Sequence, residues 1–508
     1  MDSTMPASDH TVGRLPLLPA RKRLFMASLL FAFLFPCLTW EQAAGCALLL
    51  LLFNTLILPW LDVEVAKPPR TGIVLYPISV LALIVLYRNH LHIAAAAWAI
   101  MALGDGMATV IGEAARRQVI AERPAQKATA EMHRGVHPEP AAEILRFAQN
   151  DKRRDQHDRL GLDWLRSWRC KIAATLPWNR EKTWAGFVSF AVAGTLGAYM
   201  LTRWIAPKIP SNKTLMVCAA AALLGAVFES LPLSLDDNIT VPLVVGAFMF
   251  CAYLMERSAL DSNLPYLGRR IVLAIAVNLA FAWLARVCGA ASRSGAICGF
   301  LLGTAIYLGY GYKSFLLLFA FVFLGSVATR VGFAKKAARG VAERRGGARS
   351  WREALANLLA PAFLAILVIT TQHEPACLIA LVAALAEAAG DTVSSEIGQW
   401  ASDRAYLITT FKLVPAGEDG GVTLAGTAAG FAASTIIMGL GLGLGLCGPY
   451  RFAGPAIALA AAATGNLFDS FLGATLQRQG QLTNGMVNFV GTSVAGGLAL
   501  GLALHLGL

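Results

Sequence analysis

Long uninterrupted apolar runs dominate the chain from about residue 24 to its C-terminus. They show neither the alternation of a half-buried strand nor the single stripe of a surface helix. Roughly fifteen of them approach or exceed the ~20 residues with which an α-helix crosses a bilayer. The longest polar interruptions are residues 113 to 182, 330 to 352 and 391 to 421. A helix satisfies its own backbone, which is what hydrocarbon demands. The pattern therefore predicts an all-α, polytopic transmembrane protein.

Charge orients the spans. With Arg14, Arg21, Lys22 and Arg23 cytoplasmic, spans near 24–40, 43–62, 72–88 and 92–112 return the chain to that side at its most basic loop. Three more, near 184–206, 215–231 and 239–256, and a further three to residue 331 bring Lys335 through Arg352 to the same side. Spans near 353–371 and 374–390 then make residues 391–421 cytoplasmic, and three last spans carry the C-terminus out. Arg203, Lys208 and Lys213 fall on the opposite side. Composition agrees with a lipid setting: 56% of the 508 residues are hydrophobic and 15% charged, against about 25% charged in a soluble domain. The net charge of +12 sits in a few loops, as the positive-inside rule requires, and argues against a nucleic acid partner. Nine cysteines without a CxxC pair argue for neither disulfides nor a thiolate metal site. Arg21-Lys22-Arg23 ahead of an apolar run resembles a signal peptide, but no small-residue cleavage site follows, so a retained first helix is expected.

The halves repeat. Residues 104–112 read GDGMATVIG and residues 390–398 read GDTVSSEIG. Each closes an apolar run and is followed, after a polar loop, by T-x-A-G entering the next: Thr183 to Gly186 and Thr423 to Gly426. Glu229 follows Thr183 by 46 residues, and Asp469 follows Thr423 by the same 46. Both copies take the same orientation, so the two halves are parallel-related.

A carboxylate beside glycines, a basic loop and a second carboxylate one span later suit phosphate chemistry. Asp105, with one of Glu229, Asp236 or Asp237, and Asp391, with Asp469 or Glu396, are candidate ligands of Mg2+, which takes carboxylate oxygens and bridges to substrate phosphates. Gly104, Gly106, Gly112, Gly390 and Gly398 would let a nucleotide approach the backbone, and Lys182 and Lys412 would supply positive charge. Glu229, Asp236 and Asp237, with Asn238, lie between apolar runs, where ionisable groups are costly to keep unless they work. A lone Gly-Asp is ordinarily only a helix terminus; its duplication raises it above that.

Residues 70–256, with GDGMATVIG, LPWNREKTWAG and LPLSLDDNITVPLV, resemble the phytol kinase branch of the CTP-dependent polyprenol kinases, the family that also contains dolichol kinase. Residues 265–508, with FLGSVATRVG, AEAAGDTVSSEIG, ITTFKLVPAGEDGGVTLAGTAAG and DSFLGATLQ, are similar to the membrane family that contains plant phytyl-phosphate kinase. The resemblance implies a cytoplasmic tail over 1–23, an alcohol kinase domain over 24–258 and a monophosphate kinase domain over 265–508. It implies Asp105, Lys182, Thr183, Glu229, Asp236, Asp237 and Asn238 for the first site. For the second it implies Glu387, Asp391, Glu396, Lys412, Asp419 and Asp469. Gly186, Gly417, Gly420, Gly421, Thr423 and Gly426 join the nucleotide contacts. Residues 115–172 separate the Gly-Asp motif from LPWN far more widely than in the phytol kinases, and their polar composition predicts an inserted, disordered loop.

The resemblance implies consecutive kinases in one chain, and the charge pattern a bacterial inner membrane with the sites on its cytoplasmic face. The first would phosphorylate an isoprenoid alcohol with CTP and Mg2+, and the second would carry the monophosphate to the diphosphate. Two other classes stay open: a CTP-dependent lipid cytidylyltransferase, which would release pyrophosphate, and a transporter of two parallel repeats, which would place its ionisable residues near mid-span.

Overall fold

The computed structural model describes residues 20–57, 60, 71–133, 174–232, 234–342, 344–448 and 452–508. These form two compact units that meet in sequence at Phe250 and Cys251. The first holds α1 (Ala20–Ser28), a 3-10 stretch (Leu29–Cys37), α2 (Trp40–Leu52), α3 (Thr71–Leu86), α4 (Leu91–His133), α5 (Trp184–Ile205), α6 (Ser211–Ser230) and most of α7 (Asp237–Leu254). The second holds α8 (Arg257–Val287), α9 (Arg293–Tyr310), α10 (Tyr312–Arg330), α11 (Phe333–Ala338), α12 (Trp351–Thr370) and α13 (Glu374–Ala401). A small sheet follows, then α14 (Leu424–Gly443), α15 (Ala453–Leu472) and α16 (Asn484–His505).

Twelve helices among the described residues are long and apolar enough to cross a membrane. The all-α polytopic expectation holds, and the roughly fifteen expected runs fall short at three places. The run near 24–40 divides into a nine-residue helix and a 3-10 stretch containing Pro36, because proline lacks the amide and crowds the preceding turn. Helix α3 has 16 residues. Helix α9 has 18, diluted by Arg293 and by glycines, Ser294 and two tyrosines.

The packing is that of helices in lipid. On α5, Val188, Val192, Leu196 and Met200 are each more than half exposed, while Gly186, Gly194, Gly197 and Ala198 face inward. Small residues inward and branched or long apolar residues outward let backbones approach closely where lipid removes the usual hydrophobic drive between helices. Helix α4 packs chiefly on α5 and also meets α1, α3 and α6. Helix α13 is the axis of the second unit: α10, α12, α14, α15 and α16 surround it, and most of its residues are buried. Its alanine-rich ACLIALVAALAEAAG segment, the narrowest cylinder available, suits that position.

Two expectations are corrected. Asp105 and Asp391 do not close their helices: α4 runs on to His133 and α13 to Ala401. The expected disordered loop therefore starts as helix over residues 115–133, and 134–173 lie outside the described residues. Residues 402–421, expected as a polar loop, carry three short antiparallel strands, β1 (Arg404–Leu407), β2 (Leu413–Pro415) and β3 (Gly421–Val422), in the order β2-β1-β3. Tyr406 pairs with Leu413 and Leu407 with Gly421.

Candidate functional site

In the first unit α6 ends, α5 begins and α7 begins at one end of the bundle, and Asp105 reaches that level from inside α4. One carboxylate oxygen each from Asp105, Glu229 and Asp237 lie within 4.8 Å of one another. Glu229 is 8% exposed, and its Oε2 has no hydrogen-bond partner. Three carboxylates this close repel one another unless cations or protons intervene. Lys182 forms an ion pair with Glu229. Lys22 of α1 donates from Nζ to Asp105 Oδ1 at 2.6 Å and to Thr109 Oγ1. Lys22 was legible in the sequence only as a topology signal. The Lys182 ammonium loses solvation through burial, but Glu229, then Asp237 and Asp105, outweigh that loss and hold its pKa above the ordinary lysine value.

The loop bearing Lys182 is folded onto the end of α6. Leu176 N donates to Lys182 O at 2.9 Å, Trp178 Nε1 to Ser230 Oγ at 3.1 Å, and Asn179 Nδ2 to Ser230 O at 3.1 Å. The Trp and Asn of LPWN thus set the reach of the lysine. Thr183 caps α5, its Oγ accepting from Gly186 N at 3.1 Å. Lys182, Thr183, Gly186, Glu229, Thr109, Gly112 and Arg116 line a charged cleft of about 1,010 Å³ counted with its open mouth.

The expected glycines also serve packing. A Cβ on Gly104 would stand 2.9 Å from the Phe190 ring, and one on Gly112 3.2 Å from Thr183 Oγ1. Gly106 meets Met26, so neither Gly104 nor Gly106 offers open backbone on that side. Asp236 serves α7: its Oδ1 accepts from Asn238 N at 3.0 Å and Asn238 Nδ2 at 2.7 Å. That capping turn engages Asp236 and Asn238 with each other and leaves Asp237 as the member of the pair that faces the cluster.

The second unit repeats the helix pair. Gly398 meets Thr423 Oγ1 and the Gly426 backbone, as Gly112 meets Thr183 and Gly186. Thr423 caps α14 by accepting from Gly426 N at 3.0 Å. Gly390 is pressed against Ser434 and Asn466. Asp391 Oδ2 accepts from Asn488 Nδ2 at 3.2 Å, and the same amide reaches Asn357 Oδ1 at 3.5 Å. Glu387 is 1% exposed, and among the described residues neither of its oxygens nor Asp469 Oδ2 has a hydrogen-bond partner. Both approach Gly491 of α16, where a Cβ would sit 2.4 Å from Glu387 Oε1 and 3.4 Å from the Asp469 Cβ. Unpaired buried carboxylates are expensive, so this set too calls for a cation or protons, although its oxygens, unlike those of Asp105, Glu229 and Asp237, are not gathered within 4.8 Å of one another.

Three residues take other places than expected. Glu396 accepts from Thr329 Oγ1 at 2.8 Å and from the fully buried Lys336; with both oxygens engaged it is a buried clamp between α13, α10 and α11, not a free ligand. Lys336, hidden in the basic 330–352 stretch, was missed for that reason. Lys412 is exposed at the β1–β2 turn, with no ion pair among the described residues, and does not mirror Lys182. Asp419 accepts from Gln477 Nε2 at 2.7 Å, while burial and the charge of Glu418 raise its pKa. Gly420, with φ +73°, lies against Ala474, and Gly417 has φ +94°; these two, with Gly421 in β3, shape the loop on which Asp419 sits. The expectation of ionisable residues at span ends holds for Glu229 and Asp237, whereas Glu387, Asp391 and Asp469 stand inside their helices.

Residues 276–499 match the family model described as Integral membrane protein DUF92. An uncharacterized membrane protein of Synechocystis is 36% identical over 206 residues, which are 40% of this chain and 78% of that protein. The Arabidopsis thaliana Protein VTE6, chloroplastic, is 36% identical over 216 residues, 41% of this chain and 64% of its own length. A probable phytol kinase 2, chloroplastic, of Glycine max is 35% identical over 95 residues, 18% of this chain and 32% of its own length. No solved structure matches.

Proposed function

The chain belongs to the DUF92 family of integral membrane proteins, and from that premise we propose that it is a membrane phosphotransferase acting on isoprenoid alcohols and their monophosphates. The observation that carries this reading is the duplicated site. In each unit a Gly-Asp helix packs on a Thr-capped partner helix, and a second carboxylate lies 46 residues beyond that threonine, Glu229 meeting Asp105 in the first unit and Asp469 lying with Glu387 at Gly491 in the second. The similarity to a protein named a probable phytol kinase supports the substrate class.

In the first site Asp105, Glu229 and Asp237 are placed to hold Mg2+, and Lys182, Thr183 and Arg116 face the nucleotide in the charged cleft. Magnesium, when bound, neutralises charge on the nucleotide phosphates. The alcohol oxygen bonds to the terminal phosphorus of CTP and gives up its proton to water in the open cleft, the bond from that phosphorus to its bridging oxygen breaks, and CDP leaves. Phosphoryl transfer asks the protein for position and charge: Lys182 lies where it offsets charge developing on the transferred group, and the LPWN loop holds it there. In the second site Glu387, Asp391 and Asp469 take the cation, and the monophosphate replaces the alcohol as acceptor. The two steps run on the cytoplasmic face of a bacterial inner membrane.

The test is purified protein in detergent with magnesium, CTP and phytol, followed by mass spectrometry. Phytyl monophosphate and diphosphate with CDP are the expected products, and release of pyrophosphate would install the cytidylyltransferase instead. The mid-helix position of Glu387 and Asp391, with Glu387 buried, favours one second reading, ion-coupled transport by the second unit. Uptake of phytyl monophosphate into liposomes without chemical change would establish that reading.

A further inference from the structure

A shallow groove in the second unit opens between α8, α9, α10 and α12; it encloses about 100 Å³, so a long ligand in it would extend out through its open mouth. Phe281, Leu318, Phe321 and Gly299 give it apolar walls, and Arg349 and Thr392 stand at its polar part. Thr392 follows Asp391 directly, and Asn357, which also lines the groove, joins Asp391 through the Asn488 amide. The groove thus lies next to Asp391.

Arg349 is held for this position by its backbone. Its N donates to Ala290 O at 3.0 Å and its O accepts from Ser292 N at 2.9 Å, a bridge to the α8–α9 turn. Its charge acts on Asp391, yet its guanidinium forms no salt bridge among the described residues. Glu353, also at the groove, is engaged: it closes the capping box of α12 by accepting from Ser350 N. An arginine without a salt bridge beside an apolar slot is a receptor for an anion carried on a hydrocarbon chain, because the guanidinium fork matches phosphate oxygens while the slot takes the tail.

We propose that this groove binds a single-chain isoprenoid monophosphate, its phosphate on Arg349 and its chain between Phe281, Leu318 and Phe321. The inference rests on the kinase reading only for the identity of the ligand. The orientation brings the phosphate to the Asp391 side of the groove and leaves the tail toward α8 and α9. Gly299 sets the room: a Cβ there meets nothing within 4 Å, so a large side chain would fill the groove without disturbing the helix.

The experiment measures binding of phytyl monophosphate and of a five-carbon prenyl monophosphate to the purified full chain, without magnesium or nucleotide, by intrinsic tryptophan fluorescence. Gly299→Phe is expected to weaken phytyl monophosphate about tenfold or more and leave the five-carbon compound unchanged. Arg349→Gln is expected to weaken both by about tenfold, the value of one lost charge-assisted contact. Gly439→Phe, at another open position on α14 that does not line the groove, controls for folding and should bind as the parent does. Equal binding of phytyl monophosphate by Gly299→Phe, Arg349→Gln and parent overturns the proposal, as does equal binding of phytol and its monophosphate. With turnover read separately in the magnesium and CTP assay, binding through the groove without phosphoryl transfer would sink the kinase reading alone, and transfer with unaltered binding in both variants would sink the groove alone.

Discussion

Asp105 and Lys336 show how differently a buried charge is used in the two units. Asp105 keeps 17% of its side chain exposed and shares a small space with two other acids, so its ionised form has value only with a cation beside it. Asp105→Asn should abolish alcohol phosphorylation and spare conversion of supplied monophosphate, read as product masses. Lys336 is enclosed by Glu396 and by the carbonyls of Ala328 and Thr329, at 3.3 and 2.9 Å. Lys336→Met should cost about 3–5 kcal/mol, since it strands a buried carboxylate, and Lys336→Met with Glu396→Leu should recover much of that; thermal unfolding in detergent checks both. Lys182 supplies the pH prediction. Its folded pKa lies above its unfolded value, so its contribution is fully present below about 10.4 and fades as pH rises through the folded value. First-step activity should therefore show no loss from lysine deprotonation between pH 6 and 9, and a basic-limb inflection in that window would contradict the ion pair.

At the level of elements, glycine at the helix contacts decides how near two backbones come. A Cβ on Gly426 would stand 2.5 Å from Ser394 O, whereas one on Gly439 would meet nothing. Gly426→Ala should destabilise the second unit by about 1–3 kcal/mol through overpacking, and Gly439→Ala, on the same helix, should leave the melting temperature in detergent unchanged or slightly raised. The same contacts explain why the repeat could be read from sequence: T-x-A-G must present a capping hydroxyl and a bare backbone to the small residue seven positions beyond each aspartate. The run-on of α4 and α13 beyond their Gly-Asp pairs was not legible, because a glycine and an acid lower helix propensity by only about 1 kcal/mol, which neighbouring helices readily offset.

At the scale of the molecule, the first compact unit carries the close trio Asp105, Glu229 and Asp237, and the second carries Glu387 and Asp469 with buried oxygens that have no partner among the described residues. Separate sites predict separable defects: Asp391→Asn should block diphosphate formation while phytyl monophosphate accumulates from phytol, measured in the same mass-spectrometric assay. Loss of both steps in either single variant would mean one shared site.

The sequence by itself determined that this is an all-α polytopic membrane protein, and its spacing set Asp105 with Glu229 and Asp391 with Asp469 at matching intervals from T-x-A-G. Those properties follow from local periodicity and from repeated intervals along one chain. Only the tertiary structure decided which charges are spent on each other: that Glu396 is clamped by Lys336, that Asp236 caps α7, that Lys22 joins Asp105, and that Arg349 rather than exposed Lys412 stands beside the second cluster. Pairing across 60 or 83 residues depends on how helices pack, and helix packing is set by side-chain shape at contacts that no linear spacing records.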